Sequence, residues 1–407
     1  MSPGTDELPA LRDREYRLRL EVTRLRRRVY ADPAAADEAL MGELRAAEKQ
    51  LAEAAAARAD AQAGSAQGVI VDNRVDEGLL GPETTKLEVQ LTLGMEYLPT
   101  SIWHLLTAEM LPLVRCKVRN AESNKTRRLR ISTHLDGYSA LAVDTVELEA
   151  QKEHEFLQLP VMRPAALASV TELTRATLNV LVEDLDRGGS PVELHRTVPV
   201  WLLARTSAPL AIEDPATGRL RDTSPFFGAF VTPNAPAVMG LLRAAAARHP
   251  DGQLVGYQGD VGSQVEAVFE TLKADVKLTY VDSVLTSSPD EGFPDQRVRL
   301  PRESVETKVA NCLDGTVLYA SLLEAASLSA AIVVVPGHAF LGWETGEDSG
   351  EWRYLETTLT NAVPFQQACD AAQRTADHYA TLGTGVDGLR RWPVRVLRSK
   401  LRITPME

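Results

Sequence analysis

The chain has 407 residues, enough for two to three domains at roughly 150 residues each. Hydrophobic residues make up 44% and charged residues 25%, which is globular usage and excludes a disordered or collagen-like chain. Its 44 basic and 56 acidic side chains leave a net charge of −12, which argues against nucleic acid or an anionic membrane as the main partner.

From 8 to 63 the apolar spacing is helical. Leu18, Val22, Leu25 and Val29 recur at intervals of four, three and four, and Leu40, Leu44, Ala47 and Leu51 repeat the pattern. Each set lays a narrow apolar stripe along a helix. Asp32-Pro33 ends one helix and lets the next begin. The expectation over 1–66 is an N-terminal helical hairpin or short coiled-coil arm. It serves either as an arm docked on its own chain or as a site for self-association or a partner protein. Two short heptad runs fall below the length that defines a coiled coil, which favours the docked arm. A small polar linker, Gly64 to Gly68, follows.

Over 67–206 the period changes to two. Leu87, Val89, Leu91 and Leu93 alternate with polar residues, as do Val114, Cys116 and Val118, Leu129 and Ile131, and Val146 and Leu148. Leu178, Val180 and Val182 form a further set, and Val192 and Leu194 another. Many short alternating strands separated by Asn, Gly and Asp clusters predict an immunoglobulin-like antiparallel β-sandwich. Cys116 falls on an inward position and reads as a small core residue. His104, His134, His154 and His195 have no metal-ligand spacing and read as surface or satisfied histidines. Lys125, Arg127, Arg128 and Arg130 read as a basic turn at a solvated edge.

The third region, 207–407, carries the chemistry. Helices are expected over 235–248, with Pro236 in the first turn, and over 261–274, capped by Asp260. A polar loop spans 283–296. Asn311 is a good N-cap for an apolar helix over 313–326, which puts Cys312 beside the first turn. Partial positive charge there favours a thiolate. The β-branched run 330–335 reads as a buried strand and is far too short to span a membrane. Pro336-Gly337 turns the chain, His338 opens a second strand, and a loop over 344–350 leads to a third strand that Glu356 closes. A Cys, a His and a carboxylate on successive elements can converge. The imidazole then takes the thiol proton and the carboxylate fixes the imidazole tautomer.

Supporting roles are less sharply defined. Asp314 either favours the helix dipole or holds the thiol loop, with a structural role preferred. The backbone N–H of Cys312 is one oxyanion donor. Gln296 is the first choice for a side-chain donor, ahead of Gln258 and Asn311. Cys369, His378 and Trp343 read as structural. Three cysteines, an odd and small number, suit a reducing cytosol, and the charge-dense N-terminus does not read as a signal peptide. No CxxC, HxxxH, GxxxxGK[ST] or GxGxxG pattern occurs, so no metal or nucleotide cofactor is expected. The expectation is a soluble, cytoplasmic protein that acts on neither nucleic acid nor membrane directly.

The segments Cys312-Leu-Asp314, Gly337-His338-Ala339-Phe340 and Leu355-Glu356-Thr357 together resemble the core of the transglutaminase-like superfamily, a papain-related thiol fold. The match covers roughly the last half of the chain and is densest over 297–358. Residues 230–234 and 256–259 resemble the upstream helices of bacterial members. Three departures stand out: Ala310 where the family often has Gly, Glu356 where it often has Asp, and Leu313 where the eukaryotic cross-linking enzymes have Trp. The last favours hydrolysis over cross-linking. The resemblance implies an α+β multidomain chain ending in a transglutaminase-like/papain-like domain. It implies a cysteine protease that cleaves a protein or peptide through Cys312, His338 and Glu356 and a thioester intermediate. The preceding domains would regulate or target it, as in a bacterial antiviral defence or signalling system. Two alternatives stay open: a catalytically silent binding module on the same fold, and acyl transfer to an amine.

Overall fold

A computed structural model describes residues 10, 11, 14, 17, 18, 21, 22, 25, 38–64, 86–187, 192–214, 219–281, 295–383 and 388–406. The protein combines helices with sheets, the α+β class. It divides into two compact units: Gln62–Arg221, and Met1–Ala61 together with Asp222–Glu407. Among the described residues no helix is long and apolar enough to cross a membrane.

At the N-terminus the described residues before 26 are helical, and α1 spans Glu38–Gly64. Val22 and Leu25 pack against Leu40, Leu44, Ala47 and the half-buried Leu51, so the two apolar stripes close on each other. Val29, the Asp32-Pro33 break and linker residues 65–68 lie outside the described residues, as does most of the 283–296 loop.

The Gln62–Arg221 unit holds two main sheets. In the first, β1 (Leu87–Leu93), β3 (Val114–Asn120) and β6 (Glu153–Gln158) run antiparallel in the order β1-β3-β6. Leu91 lies opposite Cys116, and Cys116 opposite Phe156. The second sheet has the order β2-β8-β7-β4-β5, built from β2 (Tyr97–Leu98), β4 (Arg127–Leu135), β5 (Ala142–Leu148), β7 (Thr174–Asp184) and β8 (Val192–Leu202). The period of two is visible as burial: Leu87, Val89 and Leu91 are buried while Glu88 and Gln90 are exposed. Leu129, Ile131, Leu178, Val180 and Val182 line the buried face of the second sheet. Cys116 is fully buried, and desolvation pushes its thiol up to about 12, as suits an unreactive core residue. Gly94 is required by close approach: a Cβ there would lie 1.8 Å from the carbonyl oxygen of Pro112.

The basic cluster needs correction. Arg127, Arg128 and Arg130 belong to strand β4 rather than to a turn, and of the three only Arg127 is buried. Arg127 is buried and reaches Glu122 and Asp184, both at 3.2 Å. Arg128 pairs with Asp186 at 3.1 Å, and Arg130 grips Glu183 through two bonds of 2.7 and 2.9 Å. The acidic end of the neighbouring strand neutralises the cluster.

In the second unit, β9 (Ala330–Val335), β10 (His338–Glu344), β11 (Trp352–Leu355) and β12 (Arg390–Pro393) form an antiparallel sheet of order β11-β10-β9-β12. All six residues of β9 are buried, so both faces of the sheet are covered. Val333, Val335, Phe340 and Tyr354 pack on Ala372, Ala376 and Tyr379 of α6 (Phe365–Ala380). Helix α5 (Cys312–Ala325) packs on β9 and β10. Upstream lie α2 (Pro236–Arg248), α3 (Val261–Thr271) and α4 (Pro301–Thr307). Asp260 caps α3 by accepting from Ser263 N at 2.6 Å. The α-helix ends at Thr271 rather than 274, and a wider π turn over Leu272–Val276 carries the chain on.

Candidate active site

The start of α5 is fixed by reciprocal capping. Asn311 Oδ1 accepts from Leu313 N at 2.9 Å and Asp314 N at 2.8 Å, while Asp314 Oδ2 accepts from Asn311 N at 3.0 Å. Cys312 is the first residue of the helix and is half-buried. The cap is anchored in turn. Asp314 is fully buried and also accepts from Arg299 N at 2.6 Å and Arg299 Nη1 at 2.7 Å. Burial pushes its carboxyl up, against the pull of the Arg299 and Asn311 donors. Asp314 therefore holds the turn that presents the thiol.

His338 opens β10 directly after Gly337, whose φ of 73° is open to glycine without steric cost. Leu341 pairs with Leu355, so continuing the register puts Glu356 opposite Phe340, on the same sheet face as His338. Diagonal neighbours on a sheet face are within reach of long side chains. The extra methylene of a glutamate, relative to aspartate, helps to span that diagonal. His338 Nε2 and Glu356 Oε2 lie 2.7 Å apart, with the side chains only 9% and 5% exposed. The other carboxylate oxygen, Oε1, accepts from Thr358 Oγ1 at 2.7 Å and Thr358 N at 3.1 Å. The Cys312 side chain is among the groups that raise His338, so the thiol and the imidazole act on one another.

The electrostatics follow from this geometry. Burial opposes the imidazolium form of His338, but the Glu356 carboxylate and the Cys312 side chain outweigh it and push the group up to about 10. Burial likewise disfavours the Glu356 carboxylate, and the His338 charge with the Thr358 donors holds it below its ordinary range. A thiol, an imidazole and a carboxylate acting in series can supply a nucleophile, a proton carrier and an orienting group.

Of the residues singled out in the sequence, His338 and Glu356 thus meet, and Cys312 acts on the same imidazole. Asn311 and Asp314 lie beneath them as the helix cap. Asn311 turns its oxygen onto the helix N–H groups and donates from Nδ2 to the carbonyl of Arg297 at 2.8 Å, bonds that make it a strut of the turn. Gln296 directs its Nε2 to the same Arg297 carbonyl at 2.9 Å. Gln258 lies in the 3-10 turn Gly256–Gln258. Arg299 and Thr358 are further members of the site that the sequence does not single out. Nothing in the spacing around Arg299 marks it, whereas a hydroxyl two residues beyond a strand-ending carboxylate is a local hydrogen-bonding pattern open to sequence reading. No family model, curated protein or solved structure matches this chain.

Proposed function

We propose that the chain is a cysteine hydrolase, most simply a protease, that cleaves peptide or amide bonds through Cys312, His338 and Glu356. On this reading 207–407 is a transglutaminase-like, papain-related catalytic domain. It follows an immunoglobulin-like antiparallel sandwich over 67–206 and a helical arm over 1–66, which target or regulate it through self-association or a partner protein. The observation that carries the reading is the 2.7 Å pairing of His338 with Glu356, with the thiol of Cys312, at the first turn of α5, among the groups that act on the same imidazole.

The chemistry uses these side chains alone. His338 takes the proton from Cys312 Sγ, and the sulfur attacks the scissile carbonyl carbon. The backbone N–H of Cys312 faces the developing oxyanion. When the tetrahedral adduct collapses, the C–N bond breaks, His338 gives its proton to the leaving amine, and a thioester remains. Water, deprotonated by His338, then attacks the thioester, releasing the acid and returning the proton to sulfur. Glu356 keeps one tautomer of the ring throughout and stabilises its charged form. Three free cysteines fit a reducing cytoplasm as the place of action.

The test is proteome-derived peptides incubated with wild type and with Cys312→Ala, in the presence and absence of a labelled primary amine. New peptide termini made by wild type alone are the expected result. Amine incorporation in place of cleavage would move the assignment to acyl transfer. Equal cleavage by the Cys312→Ala variant would remove the enzyme reading.

A further inference from the structure

Cys312, Gly315 and Tyr319 occupy one stripe of α5, at intervals of three and four. The turn that follows Glu356, Thr357–Leu359 with Thr360, is joined to that stripe at three heights. Thr357 Oγ1 donates to the Cys312 carbonyl at 3.4 Å. One turn down, the Gly315 backbone lies directly against Thr357: a Cβ there would come within 2.8 Å of Thr357 Oγ1 and 3.0 Å of Thr357 Cβ. One turn further, Tyr319 Oη and Thr360 Oγ1 are 3.0 Å apart, and Thr360 Oγ1 donates to the Thr357 carbonyl at 2.6 Å. With the threonine hydrogen spent there, the bond between the hydroxyls is donated by Tyr319. Thr357, Thr360 and Tyr319 are all buried. The same turn fixes Glu356 through Thr358. One short segment therefore grips the orienting carboxylate on one side and the nucleophile's helix on the other.

We propose that Gly315 and Thr357 are positioning residues whose close contact sets the distance between the Cys312 helix and the His338–Glu356 pair. The inference rests on the reading of Cys312 as nucleophile and His338 as its base. A contact of 2.8 Å falls about 0.7 Å short of the roughly 3.5 Å that unstrained heavy atoms prefer. Adding a methyl at residue 315 must push the turn or the helix aside, because a packed interior does not deform smoothly. A shift of about 1 Å at reacting atoms costs on the order of a hundredfold in rate.

The experiment compares Gly315→Ala, Thr357→Gly and the double variant G315A/T357G. It reads the rate of iodoacetamide alkylation at Cys312 across pH by peptide mass spectrometry, with thermal melting alongside. His338→Ala serves as the control for the underlying reading. Each single variant should slow alkylation at neutral pH by about tenfold or more and move its pH profile toward that of His338→Ala. The double variant, in which the new methyl fills the space that Thr357 vacates, should react faster than either single and approach wild type. A folded Gly315→Ala with the wild-type rate and profile would overturn the proposal, as would a double variant no faster than Thr357→Gly. Should Gly315→Ala fail to fold, the double variant against Thr357→Gly decides alone, and an unfolded double counts against the complementary contact. If His338→Ala leaves alkylation unchanged, the thiol–imidazole reading itself has failed. If His338→Ala slows it and the seam variants do not, only the spacing role has failed.

Discussion

Replacing Glu356 by Gln separates the charge of the third group from its shape. In the native site Glu356 Oε1 accepts two donors from Thr358, and Oε2 faces His338 Nε2 at 2.7 Å. A carboxamide has only one acceptor oxygen, so either Thr358 or the imidazole N–H must face an NH₂ group. A hydrogen bond to a charged partner contributes about 2 kcal/mol. At about 1.4 kcal/mol per pH unit, its loss lowers the His338 titration midpoint by roughly one and a half units from its raised position near 10. The sign carries into stability. His338 stands above its ordinary 6.5, so its contribution is complete below that value and fades as pH rises through about 10. Glu356 stands below its ordinary 4.5, so its contribution is present above that value and is lost as the pH falls through its folded value. Nitrogen-edited NMR of the imidazole, assigned with His338→Ala, reads the midpoint, and melting temperature against pH reads the linkage. Glu356→Gln should titrate lower and lose less stability between neutral and alkaline pH, its remaining decline ending at the lower midpoint. An unchanged His338 midpoint in a folded Glu356→Gln variant would refute the reasoning.

Three further outcomes follow from particular contacts. Iodoacetamide at neutral pH should modify Cys312 before the other two thiols, because burial pushes both Cys116 and Cys369 up to about 12; equal labelling of Cys369 would contradict this. Arg299→Met removes the side-chain partner of a buried carboxylate and should cost about 3 kcal/mol in denaturant unfolding. That deficit should shrink as the pH falls, since Asp314, already pushed up by burial, can then protonate. Gly94→Ala drives a methyl into the Pro112 carbonyl and should destabilise the Gln62–Arg221 unit by about 3 kcal/mol or more; a wild-type melting curve would show that the loop yields.

What the sequence discloses is what short-range physics determines. The Asn311 cap, Cys312 at the helix start, the β-branched strand and the Gly337-His338 entry each depend on neighbours within a few residues. What it hides depends on distant partners. The burial of Arg127 is hidden because one of the two carboxylates that neutralise it, Asp184, lies more than fifty residues on, as do Asp186 and Glu183, the partners of the more exposed Arg128 and Arg130. Strand β6 escapes notice because Glu153 and Glu155 blur its alternation, and only Phe156 and Gln158 are buried. Gln296 donates to the adjacent Arg297 carbonyl, a bond set by backbone geometry that spacing does not encode. The Arg299–Asp314 pair and the Gly315–Thr357 contact join separate segments and carry no local signal.

The most direct measurement is the pH dependence of Cys312 alkylation in wild type and His338→Ala, with both variants shown to be folded. If sulfur and ring share a proton, wild type stays reactive well into the acid range, where the variant falls silent. Superimposable curves would mean that the imidazole does nothing for the sulfur beside it, and the chain would then have no nucleophile at the start of α5.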